Sequence, residues 1–319
     1  MKDASIIIGT CTGFLGSNLR AYFESTAFEC VIIDEAAKAT LPELMLSVVH
    51  SKRVILVGDH YQLPPIFDEK RLVFDKTIDI QQLKDGGFKK IFDNIPEESH
   101  QFLSTQYRMH STIGSMISHV FYDDTIQNGP NTLELKTDLF SGATIVWIST
   151  SSIETSIRYE QVCVLETLKR NSLRNSAEAS IISEYLSFID KALCGKDYSV
   201  GIIAAYRGQV ELLRRDLAAI PLSNIHLDIN NDIDTVDAFQ GSQKDIIIYS
   251  TVRSSESSQI GFLREKPRLN VAFSRARCLL LIVGDIECLS KSSSDEFRMV
   301  IEFIRMNNAN CQIVEYGRS

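Results

Sequence analysis

Residues 31–65 read VIIDEAAKATLPELMLSVVHSKRVILVGDHYQLPP. Two short apolar runs each end in groups able to do chemistry. The first runs into Asp34-Glu35, the second into Gly58-Asp59-His60-Tyr61-Gln62. In open parallel sheets, ligands bind at the carboxyl ends of strands. An Asp at such an end suits Mg²⁺ in a nucleoside-triphosphate hydrolase. A neighbouring Glu can orient and deprotonate an attacking water. Gln62, an uncharged donor and acceptor, can sense a γ-phosphate or that water. A carboxylate pair after one strand is equally well a solvated loop start. The second strand, ending in GDHYQLPP, favours the catalytic reading.

These residues need a sheet to position them. Continuous apolar runs recur at 5–9, 30–33, 54–57, 143–148, 200–204, 245–250 and 279–283. Runs without alternation are what strands covered on both faces look like, so the expectation is a parallel sheet between helical layers. Thr40-x-x-Glu43 with Pro42 starts a helix between the first two site-bearing strands. Asn175-x-x-Glu178 starts another, with Ile181, Ile182, Tyr185, Leu186, Ile189 and Leu193 on one face and Gly195 as its stop. Further helices fit 209–219 and 295–306. Residues 68–99 and 150–175 read as irregular, the first as a link between domains and the second as a surface excursion. This places the boundary near 101–104.

The length of 319 residues fits about two domains. No apolar run approaches the ~20 residues of a membrane span, and the N-terminus lacks the shape of a signal peptide. Seven scattered cysteines without a CxxC pair read as reduced thiols of an intracellular protein, cytoplasmic or nuclear. The net charge of −8 argues weakly against a general nucleic-acid coat but leaves room for a basic cleft. His60, His100, His110 and His119 share no ligand spacing with cysteines or carboxylates and read as loop and core histidines.

The ordered motifs resemble those of superfamily 1 helicases. VIIDEAAKAT and VILVGDHYQLPP are similar to motifs II and III, and QYRMH followed by FYDDTIQNG to motif IV. GIIAAYRGQ resembles the next motif, TVDAFQGSQKDIIIYSTVRS motif V, and IGFLREKPRLNVAFSRARCLLLIVGD motif VI. Their order and spacing match the branch that includes the nonsense-mediated-decay helicase and senataxin, from about residue 5 to 290.

The resemblance implies an α/β protein of two RecA-like parallel-sheet domains, the first one incomplete: residues 1–104 and 105–319. It implies ATP and Mg²⁺ as cofactors, with ATP in the cleft between domains. Asp34 would ligate Mg²⁺, Glu35 would be the general base and Gln62 would contact the γ-phosphate. Arg108 and Arg275 would be arginine fingers; an always-charged guanidinium forks onto phosphate oxygens. Tyr107 would stack on the adenine, with Gln240, Gly241 and Gln243 also at the nucleotide. Thr10, Thr12, Tyr206 and Thr235 would contact single-stranded RNA or DNA through its backbone, making binding sequence-independent and salt-sensitive. Two departures stand out. Ala204-Ala205 replaces the Thr-Pro usual before that Tyr, so a hydroxyl is missing. Gln243 stands where relatives often carry a ribose-binding Glu.

The pattern GxxxxGK[ST], which cradles the β- and γ-phosphates, does not occur; the only Gly-Lys, Gly195-Lys196, precedes Asp197. By the resemblance that loop, its strand and an inserted barrel would lie upstream of Met1. The expectation is therefore an N-terminally shortened helicase core, acting 5′→3′ in full-length context, with possible protein partners and no membrane. The fragment alone should be inactive. The phosphate-loop strand is expected between the strand ending at Asp34 and those ending near Gln62 or Gly9. Its absence would leave a gap or a rearranged pairing with exposed apolar surface and a marginally stable first domain, while residues 105–319 fold well. The alternatives are a non-catalytic remnant that binds nucleic acid or protein, and a Rossmann-type oxidoreductase, for which GxGxxG is lacking.

Overall fold

The computed structural model describes residues 5–13, 28–65, 87–165, 169–239 and 241–317. The chain divides into two compact units, Met1–Phe102 and Leu103–Ser319.

In the first unit, β1 (Val31–Ile33) and β2 (Val54–Leu56) pair in parallel, Val31 opposite Val54. The connecting helix Leu41–Val48 starts on the expected capping box. The Thr40 backbone N–H donates to Glu43 Oε2 at 2.8 Å, and Glu43 N–H donates to Thr40 Oγ1 at 3.4 Å. Ile33, Ala36, Ala37, Leu44 and Phe88 form a small buried cluster. Phe88 belongs to the helix Gly87–Asn94, inside a stretch expected to be irregular.

One expectation fails here. Residues 5–9 form no strand; with no partner to pair with among the described residues, Ile6 and Ile8 stay exposed. β1 and β2 are direct neighbours, so the ends at Asp34 and near Gln62 are joined by pairing and not separated by a gap, one of the two arrangements expected. The expected apolar exposure is present: Ile32 is 67% and Ile55 50% exposed.

The second unit is built on a seven-stranded sheet. Its strands are β5 (Ile145–Ser149), β8 (Tyr198–Ala204), β9 (Ile225–His226), β10 (Ile233–Thr235), β11 (Lys244–Ser250), β12 (Ala276–Gly284) and β13 (Cys311–Glu315). The order is β10-β8-β11-β12-β5-β13, with β9 on the start of β8, and every pair is parallel. Alternate residues serve opposite faces. Val146, Ile148, Val200, Ile202, Ile246, Ile248, Leu279 and Leu281 pack with Ile181, Ile182, Leu186 and Ile189 of the helix Ser176–Ala192 and with Leu213 of the helix Arg207–Leu217. On the other face Trp147 meets Phe297 edge-on at 6.2 Å, and Tyr249 meets Phe273 at 5.2 Å. Burial on both faces is why these strands lack alternation in sequence, and it bears out the α/β parallel-sheet class.

Residues 150–175 are more ordered than expected. They hold a short helix, Thr155–Arg158, and an antiparallel hairpin of β6 (Gln161–Leu165) and β7 (Arg170–Arg174). A last small pair, β3 (Thr105–Gln106) and β4 (Gln127–Asn128), is parallel.

Candidate active site and nucleic-acid site

The first unit gathers its chemistry where β1 and β2 end. Val57 N–H donates to Ile33 O, and Ala36 N–H to Val57 O, both at 2.8 Å, so the two strand ends advance together. Gly58 makes this possible: a Cβ there would lie 2.9 Å from Ala37 N. Asp34 Oδ1 accepts from Glu35 N–H at 2.9 Å, which orients the exposed carboxylate. Glu35 sits in the left-handed region, φ 53° and ψ 35°. A non-glycine residue held there stores of order 1 kcal/mol, and such strain gathers at functional sites.

At the end of β2, Asp59 organises its turn. Its Oδ1 accepts from Tyr61 N–H at 2.9 Å and its Oδ2 from Gln62 Nε2 at 2.8 Å. Gln62 is thus half-buried and tethered. A cleft of about 230 Å³ is lined by Thr10, Cys11, Thr12, Glu35, Lys38 and Glu43 among others. It brings Thr10 and Thr12 to Glu35, while Gln62 is not among its lining residues. Thr10 Oγ1 also accepts from Gly13 N–H at 3.0 Å, so this threonine caps its own turn.

In the second unit, Gln106 shapes the QYRMH turn. Its Oε1 accepts from the N–H groups of Arg108 and Met109, both at 2.9 Å, and its Nε2 donates to Met109 O at 3.0 Å and Asn128 Oδ1 at 2.6 Å. Asn128 Nδ2 in turn donates to Ser111 O and Ser115 Oγ. This amide pair presents Tyr107, 65% exposed, and the exposed Arg108. Gly129 is the seat under Tyr107: a Cβ there would lie 2.3 Å from the ring. Sequence reasoning passed over Gln106 and Asn128; their signal was that both amides lie inside quoted motifs.

Arg275 is 2% exposed. It donates through Nε to Val271 O at 3.0 Å, through Nη1 to Ser242 O at 3.2 Å and through Nη2 to Ser274 Oγ at 3.1 Å. Two arginines with one expected role therefore differ: Arg108 is presented to solvent and Arg275 is enclosed. Near Arg275, Gly241 takes φ +83°, which favours glycine, and Gln243 is exposed. Gln240 lies outside the described residues. Thr235 ends β10, half-buried, its N–H donating to Asp234 Oδ1 at 2.7 Å.

Tyr206 points inward. It is 9% exposed, and burial pushes its hydroxyl pKa up. Gln209, also in that motif, is fully buried and bonded to Asn175 and Ser250.

One functional-looking group was legible only as a helix start. Glu178 is fully buried, and its carboxyl accepts from Ser250 Oγ at 2.6 Å, Val252 N–H at 2.8 Å and Thr251 Oγ1 at 3.0 Å. Burial pushes its pKa up to about 7. It clamps the end of β11, where Val252 adopts φ 67°. Asn175, the cap of the same helix, donates to Val252 O at 3.1 Å.

Comparison with known proteins adds the family. A family model described as an AAA domain matches residues 83–287, and a second of the same description matches residues 1–70. Helicase sen1 of Schizosaccharomyces pombe is 35% identical over 295 residues, covering 91% of this chain and 16% of the relative. ATP-dependent helicase upf1 of the same organism is 32% identical over 296 residues, 91% of this chain and 30% of the relative. The DNA replication ATP-dependent helicase/nuclease dna2 is 31% identical over 291 residues, 85% of this chain and 19% of the relative. The chain belongs to the AAA-domain helicases of superfamily 1, among relatives that include upf1 and sen1. It spans less than a third of the length of each of these relatives.

Proposed function

We propose that the chain supplies the ATP-hydrolysing and strand-gripping parts of a helicase or translocase that moves 5′→3′ on single-stranded RNA or DNA. The observation that carries this is the adjacency of the β1 and β2 ends, with Asp34-Glu35 on one and the Asp59–Gln62 turn on the other. Asp34 fits Mg²⁺, which binds through one or two carboxylates together with substrate phosphates; one of its oxygens is held by Glu35 N–H. The metal would draw charge from the phosphates. Glu35 then accepts a proton from the attacking water, and Gln62 reports the phosphate state through its link to Asp59. Tyr107 stacks on adenine. Arg108 meets the charge that develops on the phosphoryl group, a contribution of ~10³–10⁵ in rate for an arginine finger. Arg275 would join it only on leaving its buried bonds. Thr10, Thr12 and Thr235 contact the strand, while Gly241 and Gln243 line the nucleotide side. No helix among the described residues is long and apolar enough to cross a membrane; work in cytoplasm or nucleus, with protein partners, belongs to the same reading.

The test is ATP turnover by the full-length gene product, with and without single-stranded RNA and DNA. Stimulated turnover that collapses in Glu35→Gln is expected. Turnover that survives Glu35→Gln overturns the assignment. A second reading is a module that binds nucleic acid or protein without ATP work. Strand binding without any ATP turnover in the full-length protein would favour it.

A further inference from the structure

Beside the buried Tyr206 stands an aromatic that faces solvent. Phe262 lies on the 3₁₀ turn Gly261–Arg264 and is 55% exposed, while its neighbour Leu263 is buried. Single exposed apolar residues are ordinary, but this ring is held. The Arg268 guanidinium lies over it, 5.6 Å from the centroid. That guanidinium is itself fixed by Asp237 at 3.2 Å and Glu265 at 2.7 Å. The buried Tyr206 ring lies 5.9 Å from the Phe262 ring, the two planes tilted by 50°. Its hydroxyl sits so close to Gly261 that a Cβ there would be 2.7 Å away, and Gly261 has φ +55°, so side chains are disfavoured at 261 on two counts. Phe262 thus shares a small depression with Ala205 and Val236, the chain neighbours of Tyr206 and Thr235. Arg264, on the same turn, is exposed.

We infer that Phe262 is a stacking platform for a nucleobase of a bound single strand, with the buried Tyr206 positioning it rather than touching the strand. This rests on the nucleic-acid reading above and names one contact within it. Arg268 lies over the ring, and the residue still keeps 55% of its surface exposed for a base. Every base has a π-face, so the contact is indifferent to sequence. It adds a base-dependent element to a surface otherwise expected to grip phosphates. A free nucleotide has the same chemistry, and the test separates the two sources.

The experiment uses the full chain with Phe262→Trp and Phe262→Leu. Trp147, the one tryptophan in the sequence, is fully buried and gives a constant background. Binding is read independently by the anisotropy of a labelled oligothymidine. Emission of Phe262→Trp should be quenched by that oligonucleotide, but not by an abasic strand of equal length or by ATP alone. Phe262→Leu should bind the oligonucleotide roughly 5- to 150-fold more weakly, with abasic binding unchanged, while Phe262→Trp keeps its affinity. Oligonucleotide bound with silent emission and an unweakened Phe262→Leu overturns the platform alone. Quenching by ATP alone moves the ring to a nucleotide site and overturns it too. An unsubstituted chain that binds no oligonucleotide removes the nucleic-acid reading and the platform together.

Discussion

The guanidinium of Arg275 donates to the carbonyl of Ser242, 3.2 Å away, and Lys244 N–H donates back to the carbonyl of Arg275 at 3.0 Å. The end of the helix Lys266–Phe273 and the loop after Gly241 are therefore tied in both directions. Arg275→Ala would take the charged donor from the carbonyls of Val271 and Ser242, leaving Val271 O with the Ser274 hydroxyl at 3.2 Å. The expected cost is ~2–4 kcal/mol, since hydrogen bonds to charged groups contribute ~1.5–3 kcal/mol each. Urea unfolding followed by Trp147 emission checks this. A normal midpoint together with lost ATP turnover in the full-length protein would instead mark Arg275 as a residue that works outside its brace.

Glu178 predicts a pH dependence of the second unit. Its pKa in the folded state, about 7, lies above the ordinary 4.5. The folded state therefore holds the proton more tightly than the unfolded one. That stabilisation is full below about 4.5 and is lost as pH rises through about 7. The span amounts to roughly 3 kcal/mol, at ~1.4 kcal/mol per tenfold change in proton affinity. Urea midpoints between pH 4.5 and 8 should fall for the natural chain and flatten for Glu178→Gln. Parallel curves for the two would refute the assignment.

Gly129 predicts a split in kinetics. In Gly129→Ala the new methyl would overlap the Tyr107 ring, so the ring must swing off its seat. If Tyr107 stacks on adenine as proposed, KM for ATP in the full-length protein should rise several-fold, with kcat changed less. Asn128→Ala, which removes one of the two acceptors of Gln106 Nε2, should disturb Tyr107 and Arg108 together and lower kcat as well. Equal behaviour of the two variants would contradict the separate roles of seat and clamp.

The first unit should be the weaker. Among the described residues its buried cluster holds five, against twenty-four in the larger cluster of the second, and buried side chains contribute ~1.5–3 kcal/mol each. Limited proteolysis in rising urea should cut within residues 1–102 well before the rest. Equal resistance of both units would refute this.

What the sequence made legible follows from how each element is stabilised. The strands around Ile246–Ile248 and Leu279–Val283 are apolar on both faces, so their pattern alone announced a covered parallel sheet. The capping pairs Thr40–Glu43 and Asn175–Glu178 were legible because a cap is a local interaction. The hairpin of β6 and β7 was not: Val162 and Val164 face solvent, and 69% and 65% exposure leaves no burial pattern to read. The run at 5–9 failed for the opposite reason, being apolar but without a partner strand among the described residues. At the candidate site, residue types at strand ends were legible from Asp34, Glu35 and Gln62. The inward turn of Tyr206, the enclosure of Arg275 and the clamp of Glu178 on Val252 depend on neighbours dozens of residues away, and spacing carries no trace of them.

Residues 311–315 lie along 145–149 and close one margin of the large sheet. Consider the growing chain on the ribosome. Translation must pass position 315 before Trp147's strand gains its second neighbour, and until then a row of backbone amides and carbonyls stands open beside apolar side chains. Pairing across such a separation is slow. A nascent chain halted short of 311 should therefore be a preferred chaperone client, released when β13 takes its place along β5.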